Sequence, residues 1–95
     1  MSDMLYQLEQ IIQDRKVNPK EGSYTNLLFD KGRNKIAQKV GEEAVEVVVA
    51  ALGQGREEQV GELADLFYHT LVLMSDLGLS LDDINDKLRE RHQPD

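Results

Sequence analysis

The sequence predicts an all-α fold, a bundle of four to five helices. Three observations carry that prediction. Apolar residues recur at helical spacing in successive segments, β-alternation never extends beyond a few residues, and the breaks fall where Gly, Pro, Asn and Ser cluster. The chain has 95 residues, enough for one small domain spanning 1–95. A chain this short buries a modest fraction of its surface. Self-association is therefore favourable.

The elements follow in order. Leu5, Leu8, Ile11 and Ile12 mark a first amphipathic helix from about residue 3 to 15. Lys16 to Ser23 contains Asn-Pro and Glu-Gly-Ser and reads as a loop. Tyr24 to Asp30 is a short helix with Leu27, Leu28 and Phe29 turned inward, and Lys31-Gly32 breaks it. A third helix runs from about Asn34 to Leu52 and a fourth from about Glu57 to Leu77, parted by Gly53-Gln54-Gly55. Val47-Val48-Val49 favours strand locally, but it lies inside an apolar segment of helical length. Gly78 stops the fourth helix. Ser80-Leu-Asp-Asp83 is a capping box that opens a last helix reaching about Arg91.

Composition excludes several classes of function. Net charge is −7, which opposes binding to nucleic acid or to an anionic membrane. There are no cysteines, so disulfides, thiolate zinc sites and cysteine nucleophiles are all absent. No apolar run approaches the 18 or so residues of a membrane span. The N-terminal residues lack a basic stretch followed by an apolar one. The expectation is a cytoplasmic protein.

Five acids stand out in the third and fourth helices: Glu42, Glu43 and Glu46, then Glu62 and Asp65. From Ala44 to Leu52 the only polar side chain is Glu46, and from Leu63 to Met74 the only charge is Asp65. Helices so apolar are expected to be buried, and acids are almost never buried without compensation. At about 100° per residue, Glu46 lies near 40° from Glu42 and Glu43 near 100°, and Asp65 lies near 60° from Glu62. Each helix thus carries its acids on one stripe. Folding the chain about Gln54 places Glu46 and Glu62 at one height, and Glu43 and Asp65 at another, because the members of each pair are equally far from the turn. Four carboxylates then meet between antiparallel helices. At about 7 Å and an effective dielectric near 20, each like-charged pair repels by roughly 2 kcal/mol. Such a cluster takes up protons or binds cations. All-oxygen ligands suit Mg²⁺, with Mn²⁺ as a second choice, better than zinc. Glu43, Glu46, Glu62 and Asp65 are the candidate metal ligands. Glu42, at the stripe edge, is either a ligand or a base orienting a water beside the metal. Intramolecular ion pairing is the competing explanation, but Lys39 and Arg56 are too few for five acids.

Lys31, Arg33, Lys35 and Lys39 precede the acids, with no acid between Lys31 and Gly41. Cations at a helix start oppose its dipole, so they are either a solvated surface or clamps for phosphate. His69 lies four residues after Asp65 and reads as a packed, hydrogen-bonded histidine or as a substrate contact. Tyr24 is a second candidate substrate contact, by its position next to the loop. Tyr68 reads as core or interface.

Glu-Glu-x-x-Glu followed by Glu-x-x-Asp on a helical hairpin resembles the all-α nucleoside triphosphate pyrophosphohydrolase superfamily, the MazG-like fold. The fuller pattern is more specific. Ser23-Tyr-Thr25, Leu28-Phe-Asp-Lys-Gly32, Lys39-Val-Gly-Glu-Glu-Ala44 and Glu62-Leu-Ala-Asp-Leu-Phe-Tyr-His69 resemble the phosphoribosyl-ATP pyrophosphatase family across about residues 5 to 92. Phe67 stands where Leu is more usual, a tolerable core change. The resemblance implies Mg²⁺-dependent hydrolysis between the α and β phosphates of phosphoribosyl-ATP, the second step of histidine biosynthesis. Phosphoribosyl-AMP and pyrophosphate are the products. It implies a homodimer or larger homo-oligomer that completes a bundle from two chains. In some members the domain is fused to the cyclohydrolase that follows it, which resembles a zinc enzyme using cysteines; this chain has no cysteine and no room for it, so the expectation is a domain that stands alone. Two rivals remain: a nucleotide-pool pyrophosphohydrolase of the same fold, and a non-catalytic helical interaction module. A ferritin-like di-iron centre needs Glu-x-x-His pairs, and neither Glu46 nor Glu62 has a histidine three residues on.

Overall fold

The computed structural model describes residues 3–93. Five helices follow in order, α1 (Met4–Val17), α2 (Tyr24–Lys31), α3 (Arg33–Gly53), α4 (Arg56–Leu77) and α5 (Leu81–His92), with no strand among the described residues. Helix α1 begins at Asp3, whose carboxylate accepts from the Leu5 amide at 2.9 Å. It runs to Val17, two residues beyond the expected end. The Asn18 amide still bonds the Asp14 carbonyl, and Lys16 Nζ reaches the Ser75 carbonyl at 2.8 Å. Ile12 is fully buried and Leu5 and Leu8 pack beside it, but Ile11 lies outside the core, about 100° round the helix from Ile12.

Ser23 caps α2 by accepting from the Asn26 amide at 3.2 Å. Asn26 in turn holds the preceding loop, bonding the Arg15 carbonyl and the Lys20 amide. Leu28 is buried and Phe29 partly so, whereas Leu27 faces outward, contrary to the sequence expectation. Two adjacent inward positions on one helical turn leave no room for a third. Gly32 then turns the chain at φ 95, ψ 172, a conformation essentially restricted to glycine, and α3 starts at the next residue.

Helices α3 and α4 form the long antiparallel hairpin expected about Gln54. Gln59 staples its turn by donating to the carbonyls of Ala50 (3.1 Å) and Gln54 (3.0 Å). Ala50 is fully buried between the two helices. Helix α4 ends in left-handed Gly78, and the Leu79 amide reaches back to the Met74 carbonyl at 2.8 Å, which closes the last turn. The Ser80–Asp83 capping box is present at the start of α5. Glu9 also accepts from the Leu81 amide, and Tyr6 bonds Asp82 and Asn85, so α5 is tied to α1 by polar contacts.

The core is formed by Ile12, Leu28, Ile36, Leu71, Val72 and Met74. It lies at the end of the hairpin remote from its turn, where α1 and α2 cover α3 and α4. The turn half projects beyond that cover. Val45, Val48, Val49, Leu52, Val60, Leu63 and Phe67 are exposed there, Leu52 to 84 %. The expectation that these apolar helices are buried is therefore corrected for the single chain, and Phe67 is not a core residue. One chain supplies no layer over this face.

Candidate metal centre

The hairpin register brings the acids together. Carboxylate oxygens of Glu43, Glu62 and Asp65 lie within 4.8 Å of one another. Glu43 is only 7 % exposed, Glu62 is half-buried, and Asp65 faces solvent. Glu46 lies on the solvent side, with its carboxylate beside those of Glu43 and Glu62. Burial first, then the neighbouring Glu46 and Asp65, push the Glu43 carboxyl above the usual range. Glu62 is pushed up by its contact with Glu46, then by burial and the other acids. One oxygen of each, Glu43 Oε2 and Glu62 Oε2, is buried with no hydrogen-bond partner. An orphaned buried carboxylate oxygen is costly. Two such carboxylates clustered with that of Asp65 fit a hard divalent cation with oxygen ligands.

Glu42 behaves differently. Its pKa is lowered, chiefly by the Gln38 amide, which donates to it at 2.9 Å, and then by Lys39 and Lys35. It stays ionised at the edge of the cluster, 3.6 Å from Lys39 Nζ. Lys39 also stands 3.9 Å from Glu43 Oε1, so one lysine serves two acids and leaves the others uncompensated.

The four basic residues divide. Lys35 and Lys39 act on Glu42 from the same helix. Lys31 closes α2 on the surface. Arg33 is not brought to the acids: its Nε donates to Asp76 Oδ2 at 2.7 Å and a terminal nitrogen to the Asp76 carbonyl at 3.2 Å. The register that pairs Glu43 with Asp65 sets Arg33 opposite Asp76, about 15 Å along α3 from Glu43. There it satisfies a carbonyl at the negative end of α4. This candidate phosphate clamp is thus engaged with Asp76 in the chain on its own. Nothing in local sequence signals the pair, because its members lie 43 residues apart.

His69 is buried, and both its ring nitrogens are engaged. Nδ1 is 2.8 Å from the Asp65 carbonyl and Nε2 is 3.0 Å from the Tyr24 hydroxyl. A carbonyl only accepts, so Nδ1 carries the proton and neutral Nε2 accepts from Tyr24. Both nitrogens of this candidate substrate contact are thus engaged within the chain. Tyr68 packs edge-on to His69 and bonds Thr25 through its hydroxyl. Thr25, part of the Ser23-Tyr-Thr25 motif, has no role of its own in the sequence reading; its partner Tyr68 lies 43 residues away.

Fold and site together define an all-α protein whose central hairpin gathers carboxylates suited to a divalent cation. The chain belongs to the family described as phosphoribosyl-ATP pyrophosphohydrolase, which it matches over residues 5–92. It is 55% identical over 91 residues to a phosphoribosyl-ATP pyrophosphatase of Metallosphaera sedula, covering 96% of this chain and 98% of that one. It is 46% identical over 92 residues to a protein of the same name from Clostridium acetobutylicum, covering 97% and 84%. A histidine biosynthesis bifunctional protein of Lactococcus lactis is 48% identical over 92 residues, which are 97% of this chain and 43% of that protein.

Proposed function

We propose that this chain hydrolyses the α–β phosphoanhydride of phosphoribosyl-ATP, releasing phosphoribosyl-AMP and pyrophosphate. The observation that carries the reading is the pair of buried, unpartnered oxygens on Glu43 and Glu62, on a chain whose residues 5–92 match this family. Glu43, Glu46, Glu62 and Asp65 would hold Mg²⁺, or Mn²⁺ in its place. When bound, the ion neutralises phosphate charge as a Lewis acid. The chain's own residues do the rest. Glu42, kept ionised by Gln38, Lys39 and Lys35, is an acceptor able to orient a water and receive its proton. Lys39 and Lys35 stand on the same flank to meet phosphate oxygens, with Lys31 farther out. Phosphoryl transfer asks mainly for position and charge stabilisation, and these groups are arranged for both.

A second copy of the chain covers the bare face of the hairpin in this reading. Val45, Val48, Val49 and Leu52 follow helical spacing along α3, and Val60, Leu63 and Phe67 flank them on α4. Each such side chain gains about 1.5–3 kcal/mol on full burial, enough in sum to hold a homodimer. We read residues 1–95 as one domain and expect it in the cytoplasm. No helix among the described residues is long and apolar enough to cross a membrane. The decisive experiment incubates the purified protein with phosphoribosyl-ATP and Mg²⁺ and identifies the products, with dCTP and dUTP in parallel. Pyrophosphate and phosphoribosyl-AMP from the first substrate alone support the reading. Turnover of only the free nucleotides rejects it.

A further inference from the structure

The two oxygens of Glu43 have different surroundings. Oε1 has His69 Nδ1 at 3.7 Å and Lys39 Nζ at 3.9 Å, while Oε2 is buried with no partner. A carboxylate torsion is broad and roughly two-fold, so neighbours decide how it sits. Lys39 is a poor anchor: its stem is flexible and Glu42 competes for it at 3.6 Å. His69 is a rigid one, 6 % exposed and pinned at both nitrogens.

Tyr24 completes the arrangement. Its hydroxyl fixes Nε2 as the acceptor and so keeps the proton on Nδ1, where the Asp65 carbonyl accepts it and Glu43 Oε1 stands 3.7 Å away. Its ring stacks on Tyr68 at 6.1 Å and meets His69 edge-on at 5.9 Å. Two helices thereby hold one imidazole beside Glu43 of α3: α2 through Tyr24 and α4 through its own backbone. Groups that orient a cation's ligands in this way typically govern affinity for the ion.

We propose that His69, oriented by the Tyr24 hydroxyl, is the positioning residue that occupies one edge of Glu43 and presents the other oxygen to the cation. This rests on the cation reading given above. It assigns His69 neither a substrate contact nor a packing role alone. What matters is the polarised Nδ1–H edge, which the Asp65 carbonyl holds in place 3.7 Å from Glu43 Oε1.

The test is Mg²⁺ binding by calorimetry on the full chain, with wild type, His69→Phe, His69→Asn and Tyr24→Phe compared at equal protomer concentration. His69→Phe keeps the ring volume and loses the donor, so Mg²⁺ affinity falls about 10-fold or more. His69→Asn keeps an N–H at the Nδ1 position and retains most of the affinity. Tyr24→Phe, at a half-exposed position where folding is not at stake, gives a smaller loss in the same direction. Circular dichroism of the metal-free variants checks that each is folded. An isotherm of His69→Phe superimposed on wild type, or an Asn variant as weak as the Phe variant, overturns the proposal. Wild-type protein that takes up no Mg²⁺ removes the cation site and this role with it. Mg²⁺ binding that follows the expected order in a protein that leaves phosphoribosyl-ATP intact supports the positioning role and rejects only the substrate reading.

Discussion

Glu43→Gln should stabilise the metal-free protein while abolishing its response to Mg²⁺. The Glu43 carboxylate is 7 % exposed, has like charges within 4.8 Å and leaves Oε2 unpartnered. At that distance and an effective dielectric near 20, one pair of unit charges repels by about 3.5 kcal/mol, a ceiling. Water on the open side of the site screens this repulsion, and the substitution also removes the attraction of Lys39, so the net gain falls to about 1 kcal/mol. For a domain of this size that is a rise of about 4–8 °C in the unfolding midpoint. The assay is thermal unfolding at neutral pH in EDTA and in Mg²⁺, at one protomer concentration, since self-association shifts the midpoint. Wild type is expected to gain stability from Mg²⁺ and Glu43→Gln to gain none, with hydrolysis lost as well. A variant that melts lower than wild type in EDTA and still responds to Mg²⁺ would refute the claim that the hairpin holds these acids under repulsion for a cation.

Other expectations concern neighbouring features. Glu43 and Glu62 are both raised from the ordinary value of 4.5, so the folded state holds their protons more tightly than the unfolded one. Their contribution to stability is full below that value and lost as pH rises through the raised ones. Unfolding of the EDTA-treated protein from pH 4 upward should show this loss, and Mg²⁺ affinity should climb over the same interval. Val49→Asp places a charge in the bare apolar face, and sedimentation analysis should find the dimer dissociated; an unchanged sedimentation coefficient counts against that interface. Arg33→Ala removes the ion pair at the C-terminal end of α4 and should lower stability by about 1 kcal/mol with little change in KM. Lys39→Ala should raise KM for phosphoribosyl-ATP several-fold. Steady-state kinetics on the two variants separates the residue that braces the helix from the one proposed to face the phosphates.

Much of the site was legible because a hairpin obeys simple geometry. Once Gly53 and Gly55 bracket a turn at Gln54, helical rise alone sets Glu43 opposite Asp65 and Glu46 opposite Glu62. The helix ends were legible for a related reason: Asp3, Ser23 and Ser80 announce starts, and Gly32 and Gly78 announce stops through backbone conformations that other residues resist. The side-chain partners were not. Arg33 had the same sequence credentials as Lys39, yet only Lys39 reaches the acids, because the two lie on different turns of α3 facing different parts of α4. Leu27 and Ile11 had the credentials of core residues and lost their places to Leu28 and Ile12.

By itself, the sequence determined that this protein is helical, where its helices start and stop to within about two residues, and that its acids stand at matching heights in a hairpin. Those properties follow from local conformational preference and a fixed rise per residue. Tertiary structure alone decided which carboxylate is buried, that His69 joins Tyr24 to the acid cluster, and that the apolar flank of the hairpin lies bare in one chain. Burial and hydrogen bonding depend on which surfaces meet, and residues 45 positions apart, as Tyr24 and His69 are, meet only when the whole chain has folded.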